Sequence, residues 1–398
     1  MNYLKKIFLV IISIFITLAV GEGYLLITGK YSNLINSGLK QSNAVWDKRP
    51  NYQFNQVHPD LKIDVVNISG NLGVRNHTKK SLKEFENIIG FFGDSFTENR
   101  RVEDRFTFTT ILNRFWNQNR AVNFGVDGYG LEQSYQRWRN YKDKIKIKDV
   151  VYVFCRNDLR GLYEIELFKL QKNGDKIDLI NRQDIEKNLS LSEHLRYYLG
   201  KIRLSYLLID AYYTLTSKEF KNDHLSTVLN VNKNNSFVIG SDDAYASEID
   251  HSIAINKIKP ETVQLQKKFM LILNSWQQEV LDSGASFHMI ILPRYLDLKV
   301  FENMYQYKTK SIDSLMLSKI SREKLFNDYS YFFKNDPHFN EMGNLMTFKA
   351  FVSYFSPHES GHQLEEFTSI KFQEILDYYQ LHGSYPNKSK RLPGSLSN

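Results

Sequence analysis

A serine stands at the end of an apolar run, where its hydroxyl could act as a nucleophile. The run at 88–92 has the length and composition of a buried strand, and it ends in Gly93-Asp94-Ser95-Phe96. A serine at such a strand end can present its Oγ to a substrate and point its backbone N–H at an oxyanion. Gly-Asp-Ser is also ordinary turn chemistry, so this stretch alone leaves both interpretations open.

Two later apolar runs also end at residues typical of turns. The run at 121–124 is followed by Gly125, and the run at 149–155 by Asn157. Taken alone, Gly125 could be a turn glycine and Asn157 a helix cap.

Near the C-terminal end of the chain, Asp336-Pro337-His338-Phe339-Asn340 opens the segment before the last predicted helix. Taken alone, His338 could be an ordinary surface histidine.

The elements between these residues alternate between strand and helix. Apolar residues recur at helical spacing across 105–117 and again after Leu131. The same alternation returns in a predicted helix at 263–281, a strand at 286–292 and a helix at 346–355. Such alternation predicts an α/β fold with a mainly parallel sheet, whose carboxyl edge would collect the serine, the glycine and the asparagine.

Four sequence blocks together resemble the SGNH, or GDSL-type, hydrolases. The blocks are GDSF (93–96), NFGVDGYG (123–130), RNDL (156–159) and DPHFNEMGN (336–344), and the similarity runs from about residue 88 to 355. All four occur in the order of that family and at predicted strand ends. The resemblance is closest to bacterial members that carry one N-terminal membrane segment.

The resemblance implies a three-layer α/β/α sandwich, flavodoxin-like, and a role for each residue singled out above. Ser95 would be the nucleophile, His338 the general base and Asp336 the carboxylate that orients it. The oxyanion hole would be formed by Ser95, Gly125 and Asn157, and no cofactor or metal would be needed. Many members of the family have the carboxylate three residues before the histidine, whereas here it stands two residues before.

The N-terminus has the pattern of an export signal. Lys5 and Lys6 precede an uncharged apolar run at 7–20, and apolar residues resume after Glu22. Positive charge before such a run predicts that residues 1–6 are cytoplasmic and that the remainder is exported. We expect residues 7–28 to form an uncleaved signal anchor, a transmembrane helix, although cleavage after the small residues near position 20 is an alternative. The body of the protein is then membrane-anchored and extracytoplasmic.

Composition limits the remaining possibilities. The 398 residues carry a net charge of +8 that is spread along the chain, which suits a protein near anionic lipid or acidic glycan better than a nucleic-acid binder. The single cysteine, Cys155, excludes an internal disulfide framework and is expected to be a buried thiol. The predicted organisation is a linker with short strands at 29–85, a hydrolase-like domain at 86–356 with an insertion at about 160–261, and a C-terminal helix and tail at 357–398.

A rival motif, His358-Glu-Ser-Gly-His362, matches the pattern of zinc proteases. That pattern binds metal only on a continuous helix, where histidines four residues apart share one face. Pro357 precedes the motif and Gly361 lies within it, and both disfavour a helix interior. The stretch is therefore interpreted as a loop.

The resemblance, together with the predicted exported location, implies a serine esterase that hydrolyses O-acyl esters, in particular O-acetyl groups, on envelope or extracellular polysaccharide. The expected partners are an acylated carbohydrate or other ester substrate and, through the N-terminal helix, a membrane. Two alternatives stay open: an O-acyltransferase that uses the same site on a glycan, and a catalytically inactive envelope binding module.

Overall fold

The computed structural model describes residues 12–13, 16–24, 39–42, 45–70, 72–75, 87–118, 120–155, 157–159, 162, 168–173, 176–181, 260–292, 300–302, 304–305, 313–317, 329–334, 336, 338–359 and 361–386. The chain forms two compact units, one of residues 1–39 and 182–245 and the other of residues 40–181 and 246–398. The sheet and the candidate site both belong to the second unit.

In the first unit, residues 16–24 are helical. The other residues of the predicted anchor at 7–28, apart from 12 and 13, lie outside the described part of the chain, as do residues 1–6. Among the residues that are described, no helix has both the length and the apolar character needed to cross a bilayer. Most of the insertion predicted at 160–261 and the tail from residue 388 also lie outside the described residues.

The second unit is built on a five-stranded parallel sheet. The strands within the described residues are β1 Leu39–Ser42, β2 Val45–Lys48, β3 Gln53–Val57, β4 Asp64–Ile68, β5 Ile88–Gly93, β6 Ala121–Asn123, β7 Ile147–Phe154, β8 Phe168–Asn173, β9 Lys176–Asn181, β10 Ser286–Ile291 and β11 Asp313–Met316. The sheet order is β11-β10-β7-β5-β6, and every pairing is parallel. The strand order reverses at β5, so a crevice forms beyond the carboxyl ends of β5 and β7, where sheets of this kind bind ligands.

Helices cover both faces of this sheet. The helices described in this unit include α1 Ser95–Glu98, α2 Phe108–Phe115, α3 Leu131–Lys142, α4 Pro260–Asp282, α5 Glu341–Phe355 and α6 His362–Leu381. Neighbouring residues of β5 show the two layers: the Phe91 ring packs edge-on against Phe108 of α2 and Phe351 of α5, whereas the Phe92 ring packs against Trp276 of α4. All six residues of β5 are buried, as expected for a strand covered on both faces. The predicted α/β fold with a parallel sheet is confirmed.

Short strands precede the sheet in the range where the sequence predicts them. β3 and β4 pair as an antiparallel hairpin within the second unit. β8 and β9 form a second antiparallel hairpin, at the beginning of the predicted insertion. The Cys155 side chain is buried, as the sequence predicts.

The zinc-protease motif does not lie on one helix. His358 lies in a 3-10 turn at Pro357–Glu359, and α6 begins only at His362. Both imidazoles are exposed, and the Glu359 carboxylate accepts a hydrogen bond from the indole of Trp116. Within the described ranges, no group of three histidine, cysteine or acidic residues could hold a metal ion.

Candidate active site

Ser95 is the first residue of α1, directly after β5. Gly93 has φ of 151°, in the region that only glycine adopts readily, and a Cβ there would lie 2.8 Å from the carbonyl oxygen of Val153. The Asp94 carboxylate then caps the helix by accepting a hydrogen bond from the N–H of Phe96 at 2.9 Å. This tight turn lifts Ser95 off the edge of the sheet and leaves it 8% exposed.

His338 and Asp336 lie in the segment that enters α5. Phe332 and Phe339 pair across this segment as an antiparallel bridge. The Asn340 side chain caps α5 by accepting from the N–H of Gly343 at 3.0 Å. Because the segment is fixed on both sides of His338, the imidazole is held at a defined position.

The structure brings the predicted serine, histidine and aspartate together. His338 Nε2 lies 2.6 Å from Ser95 Oγ, and His338 Nδ1 lies 2.5 Å from Asp336 Oδ1. Asp336 Oδ1 also accepts from the backbone N–H of His338 at 3.0 Å, a contact that the short spacing of two residues makes possible. These contacts are the arrangement in which an imidazole activates a serine hydroxyl and a carboxylate orients the imidazole.

The charge of the Asp336 carboxylate is strongly stabilised. Burial raises the pKa of this carboxyl. The hydrogen bond from His338 and the charges of His338 and Arg101 lower it by more than burial raises it, so the pKa falls to about 2. Asp336 is therefore ionised at every pH at which an esterase would work.

Arg101 is a member of this cluster that the sequence analysis missed. Its guanidinium forms an ion pair with Asp336 Oδ2, and its Nη1 lies 2.7 Å from His338 Nδ1. Arg101 also lines the small pocket that contains Ser95 and His338. The only signal in the sequence is its position six residues after Ser95, and nothing local to it points to a partner 235 residues away.

Asn157 is hydrogen-bonded to Asp94, the residue before Ser95. The Asn157 amide donates one hydrogen to Asp94 Oδ2 at 2.9 Å. The next residue, Asp158, is buried and accepts hydrogen bonds from the Tyr152 hydroxyl at 2.6 Å and from the N–H of Cys155 at 3.0 Å, which fixes the turn after β7. An amide carries two hydrogens, and the role of the second as an oxyanion donor stays a prediction.

Gly125 lies at the end of β6 in close contact with α1. A Cβ at this position would lie 2.6 Å from Thr97 Cβ and would also meet the backbone nitrogen of Glu98, so only glycine fits. The N–H of Gly125 donates to Asn123 Oδ1 at 2.9 Å, and the Asn123 amide donates onward to Thr97 O at 2.6 Å. The backbone hydrogen of Gly125 is thus engaged in the structure as it stands, and its role as an oxyanion donor stays a prediction.

A second ion pair lies beside the pocket. The Nη2 atom of Arg100, the residue before Arg101, lies 2.5 Å from Asp127 Oδ2. Burial raises the pKa of Asp127, but the charges of Arg100, His338 and Arg101 outweigh burial and lower it. Two arginines therefore line the pocket with Ser95 and His338, and each is paired with a carboxylate.

The segment before the sheet holds α1 in place through buried charged side chains. Lys48 Nζ, at the end of β2, lies 2.6 Å from Oε1 of Glu98, the last residue of α1. The buried Arg75 guanidinium donates to the carbonyl oxygens of Glu98, Asn99 and Val102, the first of these at 2.8 Å. The carbonyl groups at the end of a helix have no donors within that helix, and the Arg75 guanidinium provides the missing donors at the end of α1.

The same segment also holds the histidine-bearing region. His58 Nδ1 accepts from the N–H of Asp60, so its Nε2–H donates to Glu341 Oε1 at 3.1 Å. Tyr379 donates to the other oxygen of Glu341 at 2.8 Å, and Asp60 Oδ1 accepts from the N–H of Lys334 at 2.9 Å. Polar residues in a stretch that looked like a linker therefore contact both parts of the candidate site.

No model of a known protein family matches the chain, and no curated protein gives a significant match.

Proposed function

We propose that this protein is a serine esterase of the SGNH, or GDSL, type. The observation that carries the proposal is the set of contacts from Ser95 Oγ through His338 to Asp336, at the carboxyl edge of a parallel sheet with flavodoxin-like strand order. The sequence blocks that resemble that family contain the same residues.

In the proposed reaction, Ser95 Oγ attacks the carbonyl carbon of an ester while His338 Nε2 takes its proton. The Ser95 N–H and the Asn157 amide stabilise the oxyanion, with the Gly125 N–H as a third donor if its bond to Asn123 is released. His338 then returns the proton to the leaving alcohol. Water, activated by the same imidazole, breaks the acyl-serine bond and regenerates the hydroxyl.

The proposed substrates are O-acyl esters, in particular O-acetyl groups on envelope or extracellular polysaccharide. The support is the N-terminal pattern of charges and apolar residues, which predicts a membrane-anchored protein with its catalytic domain outside the cytoplasm. The choice of acetyl and of glycan rests on the family resemblance.

An ester screen with a serine variant tests the proposal. Purified full-length protein should turn over p-nitrophenyl acetate and release acetate from O-acetylated polysaccharide, and Ser95→Ala should abolish both. A fluorophosphonate probe should label the wild-type protein at Ser95 and leave Ser95→Ala unlabelled. A folded protein that neither hydrolyses any ester nor reacts with the probe would contradict the proposal and favour the binding module.

A further inference from the structure

The carboxylate beside the histidine is held at both of its oxygens. Asp336 Oδ1 lies 2.5 Å from His338 Nδ1 and accepts from the backbone N–H of His338 at 3.0 Å. An ionised carboxylate only accepts hydrogen bonds, so the hydrogen of the neutral imidazole lies on Nδ1. Oδ2 has a different partner, the guanidinium of Arg101. Arg101 Nη1 lies 2.7 Å from His338 Nδ1 because both donors converge on the two oxygens of one carboxylate.

Arg101 belongs to the same turn as the candidate nucleophile. α1 begins with Ser95 and is followed by Asn99, whose carbonyl oxygen accepts from the N–H of Val102 at 3.0 Å. The buried Arg75 guanidinium donates to the carbonyl oxygens of Asn99 and Val102, on either side of Arg101. The backbone that carries Arg101 is therefore fixed relative to Ser95.

Apolar contacts between this turn and the histidine segment give little direction. The Phe96 ring packs against the rings of His338 and Phe339, with centroids 5.0 Å and 5.5 Å apart. Apolar burial is non-directional, so these contacts alone would let the histidine segment shift along the turn. The ion pair of Arg101 with Asp336 is charge-assisted, and such contacts are stronger and more directional than neutral ones. It therefore fixes the histidine segment at one position on the turn that carries the serine.

Arg101 acts on the imidazole through orientation more than through charge. When His338 takes the serine proton it becomes a cation, which Arg101 repels from 2.7 Å. The Asp336 carboxylate attracts the same cation from 2.5 Å, so the two charges oppose each other at similar strength. The remaining effect of Arg101 is geometric: while it holds Oδ2, the plane of the carboxylate cannot turn away from Nδ1.

We propose that Arg101 is a positioning residue of the reaction, which holds Asp336 Oδ2 so that Oδ1 stays on Nδ1 of His338 and the Nε2 lone pair stays on Ser95 Oγ. The short spacing of two residues gives the reason for a partner from elsewhere in the chain. Oδ1 serves two donors of the same histidine, and Oδ2 is left for Arg101. This inference rests on the proposed esterase function.

Steady-state hydrolysis of p-nitrophenyl acetate by the full-length protein tests this role. Arg101→Met should lower kcat by about 10–100-fold and change KM by less than about twofold, since a small misplacement of the base affects the rate and not the binding of a neutral ester. Arg101→Lys, which keeps a donor and a charge, should recover part of the loss. Arg114→Met removes an exposed arginine of α2 and should match wild type. An Arg101→Met protein with unchanged or higher kcat would overturn the inference.

A double-mutant cycle separates action through the carboxylate from any other role of Arg101. If Arg101 acts through Asp336, Arg101→Met should lower kcat much less in the Asp336→Asn background than in wild type, and the two losses should not add. Additive losses would show that Arg101 acts independently of Asp336 and would refute the positioning role.

Carbon NMR of labelled aspartate gives a readout that does not depend on activity. The Asp336 carboxyl signal, assigned by its loss in Asp336→Asn, should barely move between pH 6 and pH 3.5 in wild type, since its pKa is about 2. In Arg101→Met one of the charges that lower this pKa is gone, so the signal should titrate within that range. The same titration in both proteins would overturn the inference even if esterase activity is found. If no ester is hydrolysed and Ser95 is not labelled, the esterase proposal fails, and the titration still decides whether Arg101 holds Asp336.

Discussion

Lys48 and Glu98 form an ion pair at 2.6 Å in which the side chains are only 4% and 2% exposed. Lys48 belongs to the segment before the sheet, whereas Glu98 ends the helix that begins with Ser95. Burial lowers the pKa of Lys48 by more than the charge of Glu98 raises it, so the pKa of this lysine lies below its ordinary value. Glu98 also accepts from the N–H of Asp127 at 2.5 Å. The pair therefore ties the segment before the sheet to α1 and to the turn after β6.

Removing only the lysine of this pair should destabilise the protein strongly. Lys48→Met leaves the Glu98 carboxylate buried without its cation, which costs about 3–5 kcal/mol of unfolding free energy. Urea unfolding followed by circular dichroism measures this loss. Lys146→Met, at an exposed lysine, should change the free energy of unfolding by less than about 0.5 kcal/mol. The double variant Lys48→Met/Glu98→Gln should recover part of the loss, since both charges are gone. Equal stability of Lys48→Met and wild type would show that the pair contributes nothing.

Asp336 should make stability depend on pH in the acid range. Its folded pKa of about 2 lies below the ordinary 3.8, so its contribution is present above pH 3.8 and is lost as the pH falls through the folded pKa. The contribution is about 2 kcal/mol at neutral pH, and about half of it is lost by pH 3. The difference in unfolding free energy between wild type and Asp336→Asn should therefore shrink between pH 6 and pH 3. A constant difference across that range would contradict the lowered pKa.

Much of the sheet could be predicted because its strands are buried on both faces and appear as continuous apolar runs. The runs that end before Ser95, Gly125 and Asn157 correspond to β5, β6 and β7. β11 could not be predicted in this way, because it has only four residues at the edge of the sheet. α5 begins at Glu341, earlier than the apolar periodicity from Met346 indicates, because the Asn340 cap sets the start.

The part of the site that sequence could predict is the part whose chemistry is carried by residue type and turn position. Ser95 follows that rule, whereas Asp336 and His338 are predicted only through the family resemblance of the block at 336–344; the structure brings all three together. The charged residues that contact the site from elsewhere in the chain could not be predicted in this way. Arg101 and Lys48 acquire their meaning from partners that lie 235 and 50 residues away, and no local period marks such pairs.

Gly125 should be intolerant of any side chain. Gly125→Ala forces a Cβ into Thr97 and the backbone of Glu98, and backbone cannot move aside cheaply, so we expect about 1–3 kcal/mol of destabilisation and a lower melting temperature. Gly130→Ala is the matched control, because its Cβ would meet the Asp158 carbonyl oxygen at 3.4 Å, near ordinary contact distance. Thermal unfolding of both variants checks the comparison. A Gly125→Ala protein as stable as Gly130→Ala would refute this account of the packing.

Asn157 should matter for the rate rather than for substrate binding. If its second amide hydrogen stabilises the oxyanion, Asn157→Ala should lower kcat by about 10²–10³ and leave KM nearly unchanged. Asn55→Ala makes the same truncation on β3 and should leave kcat intact. Because the Asn157 amide also donates to Asp94, unfolding of Asn157→Ala must be measured alongside its kinetics. A large loss of stability with no loss of kcat would assign Asn157 to the support of the Asp94 turn, and the oxyanion would then depend on backbone N–H groups alone.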